Sequence, residues 1–183
     1  MASASAPTKV RLMNSLEYGI VSGVFGATLP SPSRILITNG AGLDGRPFTI
    51  PTSLLSLFGW SSIALLPGGL LGYLHSAINV AYLINVGKHY NSLSSTRQEL
   101  LVHETTHVWQ GKNSSFALSY VFSSAINQVL YGGTAYTYVP GSPWKSYNAE
   151  QQASIVEDWF VRGKPPSGPL YPYIVNHVRK GDA

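Results

Sequence analysis

Leu101-Val102-His103-Glu104-Thr105-Thr106-His107-Val108-Trp109-Gln110 carries His-Glu-x-x-His inside a pattern that reads as one amphipathic helix. Histidines four residues apart project from the same helix face, so two imidazoles can converge on one metal ion. Glu104 sits beside them and is placed to act as general base toward a metal-activated water. A surface helix can carry His and Glu by accident, but this chain has little charge to scatter. Five of its eight acidic residues fall on two expected helices: Glu99 and Glu104 on the first, Glu150, Glu157 and Asp158 on a later one. Carboxylates concentrated in this way read as a site rather than a solvated face.

The rest of the 183 residues bound what that site can be. Charged residues make up 11% of the chain, against roughly 25% in an ordinary soluble domain. The surface is therefore built largely from Ser, Thr, Asn, Gln, Gly and Tyr. The net charge of +4 is scattered, with no basic stripe interleaved with aromatics, which argues against nucleic acid as a partner. There is no cysteine, so a zinc ion would have to be held by His and carboxylate. A basic start followed by an apolar core is missing from the first residues. No Sec-type signal peptide is expected, and the protein either stays in the cytoplasm or leaves by another route.

Residues 1–183 are expected to form a single domain, with a mobile arm over about 1–9. An entry helix is expected over Val10–Val24, a strand over Arg34–Thr38, a short returning strand over Phe48–Ile50, and a strong strand over Val80–Val86. The motif helix should start near Arg97, capped by Ser94 or Ser95, and stop at about Gly111. Phe116 to Val129 show helical spacing, and Asn148 should cap a helix running to Phe160. A short helix over Tyr171–Arg179 closes the chain.

From Pro47 to Gly87, and again from Asn113 to Trp144, there is no Asp, Glu, Lys or Arg. Pro67-Gly68-Gly69 interrupts the best apolar window, so a buried or pocket-lining segment is favoured over a membrane span. Contact of the 47–87 segment with a membrane surface, through Phe58, Trp60 and Tyr73, is the second expectation. Low surface charge with exposed Tyr and Trp is also compatible with self-association.

A catalytic zinc takes three protein ligands and keeps one position open. His103 and His107 supply two. The extended pattern with a third histidine is absent, because Gln110 and Asn113 stand where Gly and His would. Glu150 is the first candidate for the third ligand. It lies in the first turn of a capped helix, and the small Ala153 one turn on permits close packing. Glu157 is the alternative, two turns along roughly the same face. Asp158 is a candidate to orient a ligating imidazole. His177, Tyr171 and Tyr173 are candidates to polarise a substrate carbonyl, whereas His75 and His89 read as ordinary hydrogen-bonded residues.

The motif helix, followed by Asn148-Ala149-Glu150-Gln151-Gln152-Ala153, resembles the small zincin-like domains of bacterial secretion-associated and polymorphic-toxin proteins. Val24-Phe25-Gly26 and Arg34-Ile35-Leu36-Ile37 are similar to the start of such domains. The resemblance covers about half the chain and is specific in the two helices. It implies a Glu-zincin: His103, His107 and Glu150 as zinc ligands, Glu104 as general base. The chain departs from that pattern at Ser154, where better-characterised members carry an Asp four residues after the ligand Glu.

The expectation is thus an α+β, zincin-like fold, with a small, mainly antiparallel sheet on one side of the motif helix and later helices on the other. The expected activity is zinc-dependent hydrolysis of a peptide or protein substrate, paired along the strand Tyr82–Val86. A membrane-interacting or toxin-like module, whose zinc is structural or acts on a lipid or amide, is the competing expectation. A binding protein that has lost catalysis is the third.

Overall fold

The computed structural model describes residues 9–39, 47–53, 80–114 and 135–183. The expected arm over 1–9, most of the uncharged stretch 47–87 and the helix expected from 116 to 129 lie largely or wholly outside the described residues.

The described part is α+β, with one four-stranded sheet and helices that pack around the motif helix. The strands are β1 (Val10–Leu12), β2 (Ile35–Thr38), β3 (Phe48–Pro51) and β4 (Tyr82–Asn85), in the order β1-β2-β4-β3. The outer pairings are antiparallel and the central pairing of β2 with β4 is parallel. The sheet is therefore mixed rather than mainly antiparallel. Leu83 and Ile84 of β4 are fully buried, as expected of a strand with neighbours on both sides. That position corrects the expectation that Tyr82–Val86 offers an open edge. Beside the motif helix, the edge strand among the described residues is β3.

The chain from Val10 does not enter directly as a helix. Val10–Leu12 pairs with Thr38–Leu36, and α1 spans Ser15–Phe25. A capping box sets the boundary: Asn14 Oδ1 accepts from the Glu17 amide at 2.9 Å, and Glu17 Oε2 accepts from the Asn14 amide at 3.1 Å. Glu17 is almost completely buried, and the Arg11 guanidinium donates to both its oxygens, so the cap also ties α1 to β1.

The motif helix, α2, spans Gln98–Asn113. Its start has no side-chain cap; Gln98 Nε2 instead donates to the Ser94 main-chain oxygen at 2.8 Å. Nor does Gly111 stop it. A Cβ there would lie 2.8 Å from Cε1 of Tyr82, so this glycine gives the β4 ring room to cross the helix. Gly111→Ala is expected to destabilise the fold by about 1–3 kcal/mol through overpacking, read as a lower urea midpoint at unchanged slope. An unchanged midpoint would show that the Tyr82 ring swings aside freely.

Helix α3 spans Ala149–Val161 and begins at the expected cap, with Asn148 and Gln151 forming a reciprocal box. Ala149 and Ala153 are buried where α3 packs on α2. Trp109 of α2 fills the centre, its ring 6.4 Å from Phe25 and 6.2 Å from Trp144. The buried indole N–H donates to Thr28 Oγ1 at 3.0 Å, so its one polar group is satisfied. The closing helix α4 spans Tyr171–Asn176, and a tighter turn follows over Val178–Lys180. Among the described residues, no helix is long and apolar enough to cross a membrane.

Candidate metal centre

Helical spacing places His103 and His107 one turn apart, with ring centroids 5.2 Å apart and planes at 76°. The packing of α3 on α2 brings the first turn of α3 up to them. Glu150 is fully buried there, and its Oε2 lies 3.1 Å from Nε2 of His103 and 3.4 Å from Nε2 of His107. One ligand atom from each residue falls within 4.8 Å of the other two. Glu157, two turns along α3, meets the opposite side of His103, where Nδ1–H donates to its Oε2 at 2.8 Å. The two candidate carboxylates therefore occupy different places: Glu150 joins both imidazoles, and Glu157 supports one from behind.

Glu104 is buried on the same helix. The Thr49 hydroxyl of β3 lies 2.8 Å from its Oε2 and 3.1 Å from its main-chain oxygen, so the edge strand fixes this carboxylate. A cleft of about 280 Å³ opens here, with His103, Glu104 and Glu157 in its wall and Arg97, Leu100 and Tyr136 around them. The Tyr136 ring leans on His103 at 5.9 Å.

The residues expected to polarise a carbonyl are engaged elsewhere, and none of them lines the cleft. His177 stacks on Trp144 at 5.5 Å and hydrogen-bonds Asp182 through Nδ1 at 2.8 Å. Tyr171 stacks on Trp159. The Tyr173 hydroxyl donates to the Ser142 carbonyl at 2.9 Å and accepts from the Gly141 amide at 2.7 Å. Asp158 accepts from the Tyr138 hydroxyl, and the carboxylate that meets His103 from behind is Glu157. Sequence reading passed over Thr49, Tyr136 and Gln110. The first two arrive through long-range packing that no local pattern encodes. Gln110 had a signal: it lies three residues after His107, within reach on the same helix face, and its Oε1 is 2.8 Å from His107 Nδ1.

The electrostatics favour positive charge at the point of convergence. Burial alone would lower the His103 pKa, but its hydrogen bonds to Glu150 and Glu157 outweigh that and lift it to about 10. Burial likewise opposes, and the charge of Glu150 overcomes, so the His107 pKa is also raised. Burial would raise Glu150, yet the two imidazoles hold it well below the usual carboxylate range. Glu104 is shifted up, chiefly by burial, against the pull of His107 and His103. A pocket whose carboxylates hold protons on two imidazoles has the charge and the N, N, O donor set for a divalent cation. The residues fit a metal.

A pH dependence follows for the protein without metal. The folded pKa of His103 is raised above 6.5, so its stabilisation is complete below that value and is lost as pH rises through about 10. Thermal midpoints in chelator should fall from pH 6 toward pH 10, and a flat profile would contradict this assignment of charge.

No protein-family model matches the chain. Over 69 residues, 37% of the chain, it is 42% identical to the type VI secretion system spike protein VgrG2b of Pseudomonas aeruginosa. That stretch spans 7% of the spike protein's length. The solved effector domain of Pseudomonas aeruginosa VgrG2b superposes with a TM-score of 0.52, covering 87% of this chain and 78% of that one at 23% identity. The secretion association implied by the motif helices thus recurs in VgrG2b, a secretion-system spike protein, and the architecture described above is similar to that of its effector domain.

Proposed function

We propose that this chain is a zincin-like, zinc-dependent hydrolase that acts on peptide or amide bonds as a secreted effector domain. One observation carries the reading: both Nε2 atoms and Glu150 Oε2 converge on one point, and His103 and the buried carboxylate of Glu104 line the cleft beside it. Zinc suits a thiolate-free set of two imidazoles and one carboxylate, which leaves a fourth position open. When bound, it supplies Lewis acidity that makes water a nucleophile near neutral pH and polarises a carbonyl.

The chain's own residues do the rest. Glu104 takes the proton from the attacking water, and its raised pKa brings a carboxylate closer to the range in which proton transfer is efficient. Thr49 holds that carboxylate in line. Glu157 orients His103 from behind. Tyr136, at the cleft wall against His103, is placed to hold the substrate's carbonyl side, the role sequence reading offered to His177, Tyr171 and Tyr173. β3 lies beside α2 as the edge strand among the described residues, and an extended peptide can align along it.

The test is chelation and reconstitution against a panel of unfolded proteins and fluorogenic peptides. Cleavage should vanish in chelator and return with one equivalent of zinc. Cleavage indifferent to chelation would end the proposal.

A further inference from the structure

Gln110 is fully buried, and its side-chain amide joins a chain of hydrogen bonds whose direction is fixed at two ends. Its Nε2 donates to the Ala149 main-chain oxygen at 3.0 Å and to Gln152 Oε1 at 2.9 Å. Gln152, also buried, donates through its own Nε2 to the Trp144 main-chain oxygen at 3.2 Å. Carbonyl oxygens of Ala149 and Trp144 only accept, so neither amide can be flipped without setting acceptor against acceptor. Gln110 Oε1 is thereby left to face His107 Nδ1 at 2.8 Å, and it too can only accept. Nδ1 of His107 must therefore carry a proton, which leaves Nε2, the nitrogen that faces Glu150, as the one free to give up its proton and bind a metal.

We propose that Gln110 is a positioning residue for the metal centre. It sets the tautomer of His107 and ties the turn of α2 that carries His107 to the turn of α3 that carries Glu150. Ala149, its acceptor, is the residue immediately before Glu150, so one amide holds two ligands in register. The inference rests on the reading of His103, His107 and Glu150 as metal ligands. It makes the two imidazoles unequal: a carboxylate backs His103, and a neutral amide anchored to main chain backs His107. The amide suits its place, since a second anion in that fully buried position would meet two carbonyl oxygens.

The experiment measures zinc affinity by competition with a chromophoric chelator, the melting temperature of the zinc-free protein, and the ¹⁵N side-chain spectrum of the histidines. In zinc-loaded wild type, His107 should show Nε2 bound and Nδ1 protonated. Gln110→Met removes the acceptor and should weaken zinc binding by roughly 10–100-fold. Gln110→Glu keeps an acceptor for His107 but cannot donate to Ala149 or Gln152. It should hold zinc more tightly than Gln110→Met while melting lower than wild type without zinc. A merely structural role would move affinity and melting together in all variants.

His107 bound through Nδ1, or Gln110→Met holding zinc as tightly as wild type, overturns the proposal. Should Gln110→Met not fold, the wild-type spectrum and Gln152→Met decide, the latter expected to weaken zinc less than tenfold because Gln110 Oε1 remains. Hydrolysis enters none of these readouts. A chain that binds zinc as described yet cleaves nothing would sink the hydrolase reading alone, and a wild type without zinc would sink both.

Discussion

Glu104→Gln is expected to abolish hydrolysis while leaving zinc in place. The substitution keeps the size and the hydrogen bond from Thr49 but removes the group that accepts the proton. General-base assistance contributes about 10²–10⁴-fold, so kcat should fall by at least that order. The Glu104 side chain is outside the His103, His107 and Glu150 cluster, so metal content should remain at the wild-type level. The fold should hold as well, because a buried amide replaces a carboxylate whose charged form burial already disfavours. A Glu104→Gln protein that retains wild-type turnover would remove Glu104 from the chemistry. One that also loses its metal would show that Glu104 shapes the site rather than serving as base.

The second large effect separates the two carboxylates of α3. Glu150→Ala should lose zinc outright under conditions where wild type is saturated. It takes away the one side chain among the described residues that contacts both Nε2 atoms, and leaves the two imidazoles without their shared anion. Glu157→Gln should weaken zinc by only roughly 10–100-fold, the usual effect of losing a supporting hydrogen bond behind a ligand. Isothermal titration of both variants with zinc makes the comparison. Equal losses, or a greater loss at Glu157, would reverse the assignment of ligand and support.

Local signals in the sequence account for much of this site. Residues four apart on one helix dictate that His103 and His107 share a face, and the Asn148 cap fixes where α3 begins, hence that Glu150 lies in its first turn. Other boundaries were misread for local reasons too. Asn14-x-x-Glu17 is a capping box as legible as the one at Asn148, and it shows that Val10–Leu12 precedes the helix. Gly111 looked like a stop because glycine commonly ends helices, but its cause is the Tyr82 ring from a strand 29 positions earlier. Sheet order could not be read from the strands themselves. Val80–Val86 had the pattern of a good strand whether central or at an edge, and only the pairing with both β2 and β3 shows it to be central. Which carboxylate reaches the point of convergence depends on how α3 rotates against α2. Glu150 and Glu157 lie seven positions apart on nearly the same face, so periodicity favoured neither, and the structure separates them by which imidazole nitrogen each meets. Thr49 and Tyr136 came from segments 55 and 32 positions away from Glu104 in the chain, beyond any local rule.

Elemental analysis of purified protein, after dialysis against a weak chelator, tests the metal centre most directly. Wild type should carry one zinc per chain and His107→Ala none, with both folded by circular dichroism. A wild type without stoichiometric metal, or His107→Ala that keeps it, would contradict the account at its root.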